Sequence, residues 1–251
     1  MKKKFLPLIT LAILVFVSCN KNPVVPKPGT PVKLLTKLTK KENNVTTIYN
    51  FLYNASKRLT SFKSSDNKTG VSFTYDGNGN LTKIENTEDD FKNIYSYTYN
   101  NNLPVSADFK TWRIAMGKPD ELIEDDHLVY TVTNNQVVKI HVAFNLSQTA
   151  ADFNLTYNND KLLKITGANV GYTASFEYGS KKPVFPPVTK FILDQAGFSL
   201  QFAALNDLLS ISFDFPGTQF DYSIANVYTY DADGYVLTSD NGDEQGTYEY
   251  Q

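Results

Sequence analysis

A degenerate repeat dominates this chain and fixes its class. Its clearest copy is Val71-Ser72-Phe73-Thr74-Tyr75-Asp76-Gly77-Asn78-Gly79-Asn80-Leu81-Thr82-Lys83-Ile84. Apolar and polar residues alternate into a Thr-Tyr pair. An Asn/Asp/Gly cluster then permits positive φ, and a leucine followed by an isoleucine restarts the alternation. This is a β-hairpin written in sequence. The pattern returns at 94–103, 153–165 and 227–237, with weaker copies at 48–62 and 128–140. Asn78-Gly79 and Asp233-Gly234 are the strongest turn signals. A spacing of about twenty residues holds two strands of about six residues plus turns. The expectation is an all-β fold. It is an antiparallel meander of repeated hairpins forming a strongly curved or barrel-like sheet, with one or two short helices where the repeat breaks.

Over most of residues 45–251 the pattern resembles Tyr-Asp repeats. More closely, it is similar to hairpin-rich lipoproteins of Bacteroidota, the domain-of-unknown-function family DUF4595. The resemblance implies a porin-like fold built on a highly curved antiparallel sheet. It implies no known activity, and no functional residue is carried over from it.

The head of the chain is built differently. Lys2, Lys3 and Lys4 precede an apolar run from Phe5 to Val17. That run is shorter than the roughly 20 residues a spanning helix needs, and has the proportions of a secretory signal. It ends at Ser18-Cys19, and Cys19 is the only cysteine. The stretch resembles a lipobox, Leu-x-(Ala/Gly/Ser)-Cys, with Phe16 in place of the leucine. A lipobox implies cleavage before Cys19 and acylation of that residue. Two or three acyl chains, at about 0.8 kcal/mol per buried methylene, hold a protein on a bilayer stably. A lone cysteine also leaves no disulfide, so the core alone must sustain the fold.

The expected organisation is a signal peptide at 1–18, an acylated Cys19 with a proline-rich tether at 19–33, and a single hairpin-repeat domain at 34–251. Asn20 to Pro31 contains four prolines and a glycine, an extended and semi-rigid spacer. The acidic residues described for surface export in Bacteroidota are missing from Asn20-Lys21-Asn22-Pro23. The expected location is therefore the outer membrane, lipid-anchored and facing the periplasm.

Formal charge is −2 for the whole chain, and removing the signal takes away three lysines. A mildly acidic protein has no electrostatic footprint for nucleic acid. No polybasic run for anionic lipid stands out either. Tyr (16) and Phe (17) are abundant and favour strands, where they serve mainly in core and cross-strand packing.

Two segments interrupt the rhythm. In 104–126, Trp112-Arg113 is followed by Lys118-Pro119-Asp120-Glu121, where Pro119 and the acidic residues predict the first turn of one short helix. In 179–195, Pro183, Pro186 and Pro187 exclude a central strand. Phe191-Ile192-Leu193 then predicts a short helix or a plug packed against the sheet. Such breaks cap open sheet edges or carry function.

The chemical motifs are sparse. Asp76-Gly77-Asn78-Gly79-Asn80 lacks the glycine and glutamate a calcium loop needs, with Leu81 and Thr87 in their places. Asp231-Ala232-Asp233 fails likewise at Gly242. Both read as hairpin turns. Glu124-Asp125-Asp126-His127 reads as a solvated acidic loop, with no metal assigned. His127 and His141 are the only histidines, and no nucleophile elbow, Walker loop or dinucleotide fingerprint occurs. No catalytic residue and no cofactor is assigned. Trp112 and Arg113 are the candidate ligand-binding pair, a stacking platform beside a cation. The expected role is a non-catalytic envelope lipoprotein that binds a glycan or protein partner, or serves structurally. Two alternatives are a carrier of apolar ligands, which needs an unfilled interior, and a hydrolase with an unrecognised carboxylate pair.

Overall fold

The computed structural model describes residues 32–88, 90–114, 117, 119–168 and 170–251. Cys19, the signal and the tether up to Pro31 lie outside them. One compact unit runs from Lys33 to Gln251. Its strands, in chain order, are β1 (Leu35–Glu42), β2 (Val45–Tyr53), β3 (Leu59–Ser64), β4 (Gly70–Tyr75), β5 (Leu81–Glu88) and β6 (Phe91–Asn100). They continue as β7 (Leu103–Arg113), β8 (Glu121–Thr133), β9 (Gln136–Phe144), β10 (Thr149–Asn158), β11 (Lys161–Gly167) and β12 (Thr173–Tyr178). The last five are β13 (Leu208–Asp214), β14 (Tyr222–Ala225), β15 (Val227–Tyr230), β16 (Val236–Asp240) and β17 (Glu244–Tyr250).

From β1 to β14 each strand pairs antiparallel with the next, and β17 returns to pair with β1. β14 and β15 are two halves of one strand bent at Asn226. The first half pairs with β13 and the second with β16. The 17-stranded sheet is thus a nearly closed barrel with a seam where that strand changes partner.

The repeat writes this wall in three ways. The Thr-Tyr pair carries a β-bulge, with register shifts at Thr74/Tyr75, Thr98/Tyr99, Thr156/Tyr157 and Thr229/Tyr230. Bulges at matching heights increase twist and bend the sheet toward closure. The tyrosine then latches the rim. The Tyr53, Tyr75 and Tyr157 hydroxyls donate to the carbonyls of Leu35, Leu59 and Val137, at 2.8, 2.7 and 2.8 Å. Finally the Asn/Asp closes the turn on itself. Asp76 Oδ1 accepts from the Asn78 and Asn80 amides, Asp231 Oδ1 from those of Asp233 and Tyr235, and Asn54 Oδ1 from those of Ser56 and Arg58. Gly79 and Gly234 supply the positive φ of these turns. Elsewhere Asn-Asn pairs do so, at 43–44, 101–102 and 134–135, where both residues have φ between 47° and 63°. That is the two-residue turn whose twist matches a hairpin.

The interior is filled by the chain itself. Residues 179–207, between β12 and β13, run into the barrel as a plug whose only helix is a 3-10 turn at Ser199–Phe202. Leu193, Leu200 and Phe202 are at most 1% exposed. Phe202 lies 5.0 Å from Phe73 and 5.4 Å from Phe185, and Phe198 lies 5.8 Å from Tyr95. Two hydroxyls of the wall fix the plug's backbone, Tyr130 to the Leu193 carbonyl at 2.7 Å and Tyr172 to that of Gln195 at 2.8 Å. Buried Asp194 and Asp207 are satisfied within the plug and at its root. Asp194 accepts from the Phe198 and Ser199 amides, and Asp207 from the Lys181 amide and the Tyr230 hydroxyl. Gly179 lets the Asp207 carboxylate approach the backbone, since a Cβ there would collide with it.

One sequence expectation needs correction. The stretch 104–126 holds no helix among its described residues. Strand β7 runs through Trp112-Arg113, and β8 begins at Glu121, two residues after Pro119. Pairing across β7 and β8, the longest adjacent strands, overrides the local helix-start signal at Pro119. The second break behaves as the plug that Phe191-Ile192-Leu193 suggested.

Candidate functional site

The outer face of the barrel is ionic. Directly opposed pairs there include Lys110 with Asp125 at 3.6 Å, His127 Nδ1 with Asp108 at 2.8 Å, and His141 Nδ1 with Asp152 at 2.8 Å. Lys83 and Lys92 both reach Glu85, and Lys37 reaches Glu249. A membrane-spanning barrel carries an apolar belt outside and polar groups within. This barrel carries charged pairs on its outer wall among exposed apolar residues such as Leu52 and Val129, has apolar packing within, and its plug occupies the axis.

Both histidines are therefore cross-strand partners of aspartates on the outer wall. The Asp76 and Asp231 clusters are hairpin turns. Among the described residues, no group of three or more His, Cys, Asp or Glu side chains is placed to hold a metal ion. Trp112 is half-buried at the far end of β7, opposite Lys92 and Leu122. Arg113 donates to Glu121 at 3.0 Å, and exposed Phe91 is its cross-strand neighbour. Trp112 and Arg113 thus sit on regular strands, on the hairpin with the longest arms.

The acidic run 124–127 is divided by the pleat. Asp125 and His127 face outward, whereas Glu124 and Asp126 face inward behind Phe109 and Thr111. Asp126 is 2% exposed, and its Oδ2 has no donor. Burial, then the neighbouring Glu124 carboxylate, pushes the Asp126 carboxyl up to about 7. Glu124 accepts instead from the Thr111 hydroxyl at 3.1 Å.

The two ends of the barrel differ most. The end from which the plug enters carries exposed Lys57, Arg58, Lys181 and Lys190, with half-buried Lys161 and Lys182. Asp160 is exposed there beside Lys161, and the other acidic residues are largely engaged. Asp231 and Asp233 are both bound to Lys33, at 2.6 and 2.8 Å, and Asp76 closes its turn. The opposite end collects Glu42, Asp66, Glu88, Asp90, Asp120, Glu121, Asp214, Asp221, Asp240, Asp243 and Glu244 on its turns and strand ends, with Lys68 and Arg113 among them.

Cavities flank the plug, two of them at the basic end. One of about 260 Å³ is lined by Gln136, Tyr157, Lys161, Tyr178, Lys190 and Leu205, among others. A second, of about 290 Å³, lies between Arg58, Tyr75, Lys190 and Leu205. A third, of about 240 Å³, lies along the seam by Phe185, Ile224 and Tyr228. These three are smaller than the roughly 300–1,000 Å³ typical of small-molecule sites. A fourth, of about 460 Å³, is an open groove over Arg58, Tyr75 and the turn at Asp76. The filled axis leaves no lumen of the kind an apolar-ligand carrier needs. This basic end carries no signature in the sequence, because its cations come from separate turns and from the plug.

No family model matches the chain, and no curated protein matches it. Among solved structures it is similar to a porin-like protein from Bacteroides vulgatus, with a TM-score of 0.52 at 11% identity, covering 88% of this chain and 99% of that one. A porin-like protein from Bacteroides uniformis gives a TM-score of 0.49 at 14% identity, over 89% and 99% of the two chains. At these identities the first likeness concerns the fold alone. The chain has the barrel fold of the Bacteroides vulgatus porin-like protein, with a wall that is ionic outside and a plug within.

Proposed function

We propose that this protein is a non-catalytic lipoprotein of the cell envelope, acylated at Cys19, that holds a filled barrel at the outer membrane, facing the periplasm, as a binding or structural module. The observation that carries this reading is the polarity of the wall. Charged cross-strand pairs outside and apolar packing inside suit a body surrounded by water. Such a body needs a separate anchor, and Ser18-Cys19 behind a secretory signal supplies one. The fold likeness and the resemblance to Bacteroidota lipoproteins support the same setting.

The partner-binding face in this reading is the β7–β8 hairpin. Trp112 and Arg113 are residue types that dominate protein hot spots. Trp112 lies beside exposed Leu122 on one side of the strand and Arg113 beside exposed Phe91 on the other, and a tryptophan edge also suits a sugar face. Labelled palmitate incorporation that disappears in Cys19→Ala tests the anchor. Affinity capture with envelope extracts and peptidoglycan or glycan fragments tests the face. Trp112→Ala is expected to lower capture at least tenfold with unchanged thermal unfolding. Unchanged capture would remove Trp112 from the site.

A further inference from the structure

Lys33, the first residue of the folded unit, is tied to the plug end. Its ammonium binds Asp231 and Asp233, and its amide donates to the Tyr235 hydroxyl at 3.0 Å. Leu34 pairs with Gln251 through two backbone hydrogen bonds. Whatever precedes Lys33 therefore starts from that end. In the proposed mature chain it is a segment of only fourteen residues, 19–32, rich in proline.

The same end is basic, and it presents an apolar tip. Leu205 is 59% exposed. It borders both flanking cavities, with Lys190 common to the two, Arg58 on one side and Lys161 on the other. Lys181 and Lys182 lie over the rings of Tyr230 and Tyr235, 6.0 and 3.6 Å from the ring centres. An exposed leucine ringed by cations and backed by tyrosines matches the interfacial chemistry of anionic bilayers. Apolar side chains enter the headgroup layer, and lysines meet phosphate. The opposite end, where carboxylates outnumber cations, would be repelled by the same surface.

We propose that the plug end is a membrane-docking surface for anionic phospholipid, so that the barrel stands with its basic rim on the bilayer and its acidic rim outward. The orientation rests on the anchoring proposed above, and the contact rests on the rim's own charge. It places the β7–β8 hairpin away from the membrane, where a partner can reach it.

The test uses the mature acylated protein on vesicles of phosphatidylethanolamine with phosphatidylglycerol, or of phosphatidylcholine alone, doped with brominated lipid. Trp112 is the only tryptophan and reports the far end. A Trp112→Phe, Leu205→Trp chain reports the plug end. Quenching is expected at the plug-end reporter on anionic vesicles, reduced by salt, and not at Trp112. Combining Lys57→Gln, Lys181→Gln and Lys190→Gln, all exposed side chains, is expected to weaken the contact about a hundredfold. Stronger quenching of Trp112 than of the plug-end reporter, or equal plug-end quenching on neutral and anionic vesicles, would overturn the proposal. Flotation with neutral vesicles reads the anchor separately. A chain that fails to float there but still shows salt-sensitive plug-end quenching on anionic vesicles would sink the anchoring and retain the docking surface.

Discussion

The wall and the plug solve the same burial problem by opposite means. The wall repeats one local solution: alternation, a bulge at Thr-Tyr, a tyrosine latch and a self-closing turn. The leucine or valine that restarts the alternation is almost wholly buried at Leu59, Leu81, Leu162 and Val236, and partly buried at Leu103. The plug has no repeat and almost no regular structure. It satisfies its backbone through single side chains, Asp194, Ser199, Tyr130 and Tyr172. Redundancy protects the wall, because the latches of Tyr53, Tyr75 and Tyr157 are equivalent and share the load. The plug has no such redundancy, so individual residues there should matter far more.

The largest effect should come from Phe202→Ala. Phe202 is fully buried and meets Phe62, Phe73, Phe185 and Phe198. Its loss is expected to cost about 3–5 kcal/mol in urea unfolding. A cost below about 1 kcal/mol would mean the plug is not the core of the barrel.

Asp126 gives the next effect, and it depends on pH. Its folded carboxyl is raised from an ordinary 3.8 to about 7. Between those values the folded chain holds a proton that the unfolded chain has released. The stability contributed by the neutral group is complete below about pH 4 and lost as pH rises toward 7. Asp126→Asn, neutral at every pH, is expected to remove that slope and raise stability at pH 8 by roughly 2 kcal/mol. Parallel unfolding curves for both proteins from pH 4 to 8 would show that Asp126 ionises freely.

Within the wall the effects should be small. Tyr75→Phe deletes one latch to the Leu59 carbonyl and is expected to cost about 1 kcal/mol. A loss of several kcal/mol would mean the latches act as a single cooperative ring. Lys37→Ala, on an exposed outer pair, should change stability by no more than about 0.5 kcal/mol.

This difference also explains what the sequence disclosed. Hairpins, turns and the single barrel-like sheet were legible because each is encoded within one repeat, as in Tyr75-Asp76 through Leu81. The plug was only partly legible, since its fold depends on wall residues far away in sequence, such as Tyr130 for Leu193. The segment after Trp112 misled because Pro119 and its acidic neighbours are a local signal, whereas β8 is set by pairing with β7. The inward pair Glu124 and Asp126 was hidden inside a run that looks solvated until the pleat separates its alternate residues. The basic rim was not legible at all. Lys57, Lys161, Lys181 and Lys190 are scattered in sequence, and only the meander brings their turns and the plug to one end.

The most direct test of the account is to replace residues 1–19 with a cleavable signal peptide that leaves no cysteine, and then to fractionate the exported protein. A filled barrel with an ionic wall is expected in the soluble fraction at physiological salt, folded and without detergent. Recovery only in detergent, with conductance across a planar bilayer, would contradict it and mean that the wall itself spans the membrane.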